Sequence, residues 1–149
     1  MITRRSLLLL PLGAALAGCG ASTSPDGTGP GGPPSGAPLK VGLLINGTLT
    51  DSGWNALAGK GLDEIKAQLG AQTSHQSAGS AQAEEALRGF ARDGYALVFA
   101  HGNEFGDAAK RVAQEYPKTD FVVSSGEVEA PNVASLKFDL GEASYLAGI

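Results

Sequence analysis

From Leu39 onward the chain alternates short apolar runs with longer amphipathic ones. Val41, Leu43, Leu44 and Ile45 make the first run, and its lack of polar alternation predicts a parallel strand covered on both faces. Residues 54–69 then carry Trp54, Leu57, Ala58, Gly61, Leu62, Ile65 and Leu69 at helical spacing, with Gly70 as a stop. A short strand is expected at Thr73–Gln76. Ser80 opens a second helix with Glu84 and Glu85 early and Arg88 and Arg92 late, which suits the helix dipole and offers a Glu84/Arg88 pair; Asp93-Gly94 ends it. Tyr95–His101 is a third, strongly apolar strand with Gly102–Gly106 as its exit loop. A third helix from about Asp107 to Tyr116 turns Ala108, Ala109, Val112 and Ala113 inward, and Pro117 closes it. Phe121–Ser125 is the fourth strand, and Val133–Phe138 alternates as a fifth, nearer an edge. A fourth helical pattern starts at Glu142 and is still apolar at Ile149.

The order β-α-β-α-β-α-β-β-α predicts an α/β fold, a doubly wound parallel sheet with right-handed crossovers and strand order 2-1-3-4-5. Ligands of such sheets collect beyond the carboxyl ends of the strands, where neighbouring helices leave on opposite faces. That rule brings two loops to one crevice: Asp51-Ser-Gly-Trp-Asn55 after the first strand, and His101 to Phe105 after the third. The first loop supplies a carboxylate, a flat ring and an amide. It admits two readings: a ligand wall, or a helix start in which Asp51 or Ser52 is the cap and Trp54 the first core residue.

The first 38 residues are of another kind. Met1 to Gly18 holds Arg4 and Arg5, then an apolar stretch and small residues, the pattern of an export signal too short to span a bilayer. Leu16-Ala-Gly-Cys19 resembles a bacterial lipobox, so residues 1–18 are expected to be removed and Cys19 lipidated. Thr3-Arg-Arg-Ser-Leu-Leu fits either a general or a twin-arginine export route. From Cys19 to Pro38 the sequence is rich in Gly, Pro and Ser, with no aliphatic side chain larger than alanine. It cannot bury enough apolar surface to offset its ordering entropy and reads as a disordered tether of about 25 Å root-mean-square span. The foldable part is 39–149.

Charge and chemistry narrow the function. The formal net charge is −4, and loss of Arg4 and Arg5 with the signal takes it to −6. An acidic surface argues against nucleic acid as a partner and leaves the lipid anchor as the contact with the membrane. The single cysteine rules out an internal disulfide. His75 and His101 share no metal-ligand spacing, and His75 reads as a surface residue. Ser124-Ser125-Gly126 is not a nucleophile elbow, and Gly102 to Gly106 lacks the lysine of a phosphate loop. No enzyme, metal or cofactor is expected.

Four stretches in order, Asp51–Asn55, His101–Asp107, Phe121–Gly126, and Asn132–Phe138 with Tyr145–Gly148, together resemble the basic membrane protein (BMP) family. These are lipid-anchored solute receptors of ABC importers that include purine nucleoside receptors, and the resemblance runs from Lys40 to Ile149. It implies the type I periplasmic binding protein fold, two α/β lobes closing on a ligand. The chain then holds the N-terminal lobe, with the second lobe absent, and reads as a truncated receptor. The resemblance places Trp54 against a purine-like ring, with Asn55 and Asp51 on its polar edges. His101, Gly102, Asn103 and Phe105 would line the other side, with Ser125 at the exit of the fourth strand. Family members often carry an aromatic residue where Asn103 stands and an aspartate near Ser124–Gly126, so stacking falls to Trp54 or Phe105. The implied function is an exported, lipid-anchored receptor facing the periplasm or cell exterior, delivering a nucleoside-like solute to an ABC permease. A membrane-tethered ligand sensor, or a non-binding fragment of such a receptor, is the alternative.

Overall fold

The structure, a computed structural model, describes residues 36–138 and 141–148. The expected signal at 1–18, and Cys19 with most of the tether, lie outside the described residues. Five strands, β1 (Lys40–Ile45), β2 (Gln72–Ser77), β3 (Leu97–His101), β4 (Asp120–Ser124) and β5 (Val133–Leu136), form one sheet in the order β2-β1-β3-β4-β5. Every pairing is parallel. The helices are α1 (Trp54–Leu69), α2 (Ala83–Arg92), α3 (Gly106–Glu115) and α4 (Gly141–Ala147), with a single 3-10 turn at Asn103–Phe105. The expected class and strand order are those observed, and β5 is an edge strand as its alternation indicated.

The two faces of the sheet hold separate cores. Leu44, Val98, Ala100, Phe121 and Val123 point to the face where α2 and α3 lie and pack with Leu87, Phe105 and Val112. Val41, Leu43 and Ile45 point to the other face and meet Leu62 of α1, with Leu97 and Phe99 partly buried beside them. Burial on both sides explains why β1 is apolar at nearly every position, as a covered parallel strand must be. At the other extreme β2, Gln-Thr-Ser-His-Gln-Ser, is the polar edge of the sheet, and His75 on it is exposed as expected. Polar edges of this kind discourage pairing with another chain.

The stripe expected on α1 is corrected. Asn55, Gly59 and Leu62 are its buried positions, whereas Leu57 and Leu69 are each 66% exposed. The reason is close approach. Leu49, folded back from the β1–α1 loop, lies against the position a side chain on Gly59 would take, so the inward face runs through Asn55 and Gly59, while the expected Ala58, Leu62 and Ile65 do pack on the core. On the opposite face of the sheet, α2 and α3 are tied by an ion-pair chain. Arg88 meets Glu84 at 2.5 Å and Glu115 at 2.7 Å, and Arg111 meets Glu84 at 2.8 Å. The expected Glu84/Arg88 pair is thus one link of an interhelix network. Those arginines hold the Glu84 and Glu115 carboxyls below their ordinary range.

Candidate ligand-binding site

Strand register assembles the site. Ile45 ends β1 beside His101, which ends β3, and His101 in turn pairs with Ser124, which ends β4. The loops that follow therefore open at one edge of the sheet, and Trp54 at the start of α1 meets His101 there. Their rings stack with centroids 4.2 Å apart and planes 20° apart. Phe138, just past β5, meets Trp54 edge-on at 5.7 Å. Trp54 remains 45% exposed, so it is not the first core residue of α1.

Asp51 is the cap of that helix. Its carboxylate accepts hydrogen bonds from the backbone N–H groups of Asn55 at 2.8 Å, Ala56 at 2.9 Å and Gly53 at 3.0 Å. These donors, Asn55 first and then Gly53 and Ala56, hold the Asp51 carboxyl below its ordinary range. The helix N-terminus thus carries its own anion. Asn55 is buried beneath the loop, and its side-chain N–H donates to the Asn46 carbonyl at 3.2 Å. Its Oδ1, also buried, has no hydrogen-bond partner. Ser77 fixes the same loop by donating to the Gly47 carbonyl at 2.6 Å.

On the facing loop, His101 spends both ring nitrogens within the protein. Nε2 lies 3.1 Å from the Trp54 carbonyl oxygen, which can only accept, so Nε2 carries the proton; Nδ1, 3.0 Å away, then accepts from the Ser124 hydroxyl. Burial lowers the His101 pKa from the ordinary 6.5, against the opposing pull of the Trp54 hydrogen bond and of the Asp51 and Glu104 carboxylates. Burial therefore favours the neutral ring. Gly102 follows at φ +150°, and the Glu104 carboxylate folds over it into the space a side chain would take. Glu104 also accepts from the Asn46 amide at 3.2 Å, joining the two loops across the crevice.

Of the expected site residues, Asp51, Trp54, Asn55, His101 and Gly102 come together at this edge. Asn103 is exposed on the 3-10 turn. Phe105 is corrected: it is fully buried among the residues under α2 and α3, where its ring serves the core and offers no face to a ligand. Ser125 is exposed at φ +57°, with its N–H donating to the Leu136 carbonyl at 2.7 Å. Ser52, in the Asp51 loop, also has positive φ, so the two such non-glycine positions among the described residues lie in loops at this edge of the sheet. Sequence reasoning weighed Glu104 and Ser124 only for catalysis, left both out of the ligand-binding set, and did not single out Asn46. The signal for Ser124 was positional, since it ends the strand beside the one that His101 ends. Among the described residues no cluster of His, Cys, Asp or Glu is placed to hold a metal ion.

A parallel sheet in the order 2-1-3-4-5, with its crevice at the β1/β3 switch point, places the chain among the doubly wound α/β folds. Within them, residues 39–149 match the family described as Bmp, ABC transporter substrate-binding protein PnrA-like, and the chain belongs to that family. It is 30% identical over 150 residues to the transcriptional activator protein med of Bacillus subtilis (strain 168), covering 99% of this chain and 44% of that protein. It is 28% identical over 151 residues to the ABC transporter nucleoside-binding protein BmpA of Lactococcus lactis, covering 97% and 42%. Among solved structures, an ABC transporter solute-binding protein from Conexibacter woesei superposes with a TM-score of 0.66 at 33% identity, over 74% of this chain and 38% of that one. The chain therefore spans less than half the length of these relatives.

Proposed function

We propose that the protein is the lipid-anchored, extracytoplasmic solute-binding component of an ABC importer, and that its solute is a purine nucleoside or a related neutral, ring-containing molecule. The observation that carries the solute class is the half-exposed Trp54 ring at the mouth of the β1/β3 crevice. A flat heteroaromatic solute gains stacking against such a ring. Nearby, the partnerless Oδ1 of Asn55 rewards a solute N–H or O–H once the 46–51 loop admits it. Similarity to a nucleoside-binding relative supports the same class.

The charges at the mouth refine it. Asp51 already occupies the N-terminus of α1, Glu104 adds a second carboxylate, and burial favours the neutral form of His101. A phosphate would meet two carboxylates and, at α1, a helix end already capped. Isothermal calorimetry on the protein is the test, with adenosine, guanosine and their 5′-monophosphates. Heat with the nucleosides, at least tenfold weaker binding of the monophosphates, and loss of binding in Trp54→Ala with its thermal midpoint kept are expected. Heat with sugars or amino acids alone overturns the reading.

A sensor that signals through a membrane partner is the second reading, and the similarity to a protein named as a transcriptional activator favours it. Deleting the gene decides between the two. Lost nucleoside uptake supports the importer; intact uptake with altered transcript levels supports the sensor.

A further inference from the structure

We infer that His101 is a positioning residue that fixes the Trp54 ring, and that it makes no contact with the solute. The inference rests on the reading of Trp54 as the stacking surface. Every polar atom of the imidazole is committed inside the protein, Nε2–H to the Trp54 carbonyl at 3.1 Å and Nδ1 to the Ser124 hydroxyl at 3.0 Å. Hydrogen bonds to both nitrogens lock the ring plane, and that plane lies 20° from the indole at 4.2 Å. One residue therefore grips Trp54 twice, by backbone and by ring. Ser124 acts one step further back: the Trp54 carbonyl selects the Nε2–H tautomer, and the Ser124 hydroxyl donates to the Nδ1 that this leaves unprotonated. Phe138 meets the indole edge-on, and the ring remains partly open to solvent.

The arrangement has a physical purpose. A tryptophan 45% exposed at a helix start would otherwise sample several rotamers, and a solute would have to order it on binding. Stacked on a fixed imidazole, the ring is ordered beforehand, which removes a cost that otherwise reduces affinity by about two- to tenfold. A histidine suits the position better than phenylalanine would, because it also reaches the Trp54 carbonyl and ties β3 to the first turn of α1.

Trp54 is the sole tryptophan of the chain, so its motion can be read without a label. In the solute-free protein, time-resolved fluorescence anisotropy should show a restricted ring in the parent and a fast subnanosecond component in His101→Ala. His101→Phe restores a stacking face and should recover most of the restriction. With adenosine as the probe, His101→Ala should bind about three- to tenfold more weakly and His101→Phe should recover most of that loss. An unchanged Trp54 anisotropy in His101→Ala overturns the inference. So does equal loss of adenosine binding in both His101 variants while Trp54 stays ordered, since that identifies His101 as a solute contact. If the parent binds no nucleoside at all, the proposed solute class is wrong, and the anisotropy still decides whether His101 orders the ring.

Discussion

At the scale of single residues, the loop Asp51–Asn55 keeps one half of its helix-start reading, the Asp51 cap, and loses the other, since Trp54 is not a core residue. Asp51 is a helix cap, with three backbone N–H groups on its carboxylate, while Trp54 stands open at the mouth. Capping and binding are compatible because the cap consumes the helix end and leaves the ring free. The same scale carries a pH prediction. The folded protein holds His101 below 6.5, so the unfolded chain binds more protons there than the folded one. The stability contributed by neutral His101 is complete above 6.5 and is lost as pH falls from 6.5 through the lowered folded value. Asp51 has the same sign at more acid pH, its contribution being lost as pH falls below 3.8. A protonated imidazole stacked on an indole quenches it, so Trp54 fluorescence should fall with a midpoint below pH 6.5. His101→Gln should abolish that transition, and a midpoint at or above 6.5 would contradict the burial of the ring.

Elements show where pattern reading succeeds and where it stops. The boundaries of α1 were legible because Gly70 and the Asp51 loop bracket it, and its inward face was legible at Ala58, Leu62 and Ile65 only. Trp54, Leu57 and Leu69 outrank Gly59 in any hydrophobic pattern, but Gly59 is where Leu49 packs closely beneath the helix. Phe105 failed for the converse reason: an aromatic in an exit loop looks like a ligand wall, and the single 3-10 turn rotates it into the core. Neither the packing of Leu49 nor that rotation is encoded in local periodicity. A related close approach yields a test in β1. A methyl group at Gly42 would lie 2.8 Å from the Phe90 ring of α2, which is itself wedged edge-on against Tyr95 at 5.0 Å. Gly42→Ala should cost about 1–3 kcal/mol through overpacking. Thermal unfolding should show a drop of about 4–8 °C for each kcal/mol lost. Combining it with Phe90→Leu should recover part of the loss, a coupling that a double-mutant cycle measures directly.

For the whole molecule, topology was the most legible property, because five short strand segments, the second of them polar, interleaved with three amphipathic ones leave few right-handed arrangements, and 2-1-3-4-5 is one of them. That topology puts the β1 and β3 loops together whatever their side chains, which is why the crevice could be placed while Asn46, Glu104 and Ser124 could not. Attachment to a membrane is decided elsewhere in the chain. Among the described residues no helix is long and apolar enough to cross a bilayer. The folded unit is acidic, so anionic headgroups do not attract it. If the protein is held at a membrane, the means proposed is acylation of Cys19, and a stable anchor needs more than one acyl chain, since one chain alone binds only marginally. Mass spectrometry of the protein from its own cells should therefore find a mature N-terminus at Cys19 bearing the mass of several acyl chains. Cys19→Ser should instead accumulate an unprocessed precursor that keeps residues 1–18, because the residue that directs processing is gone. A mature chain that begins elsewhere, or an unmodified Cys19 thiol, would refute the lipid anchor while leaving the crevice and its Trp54 ring intact.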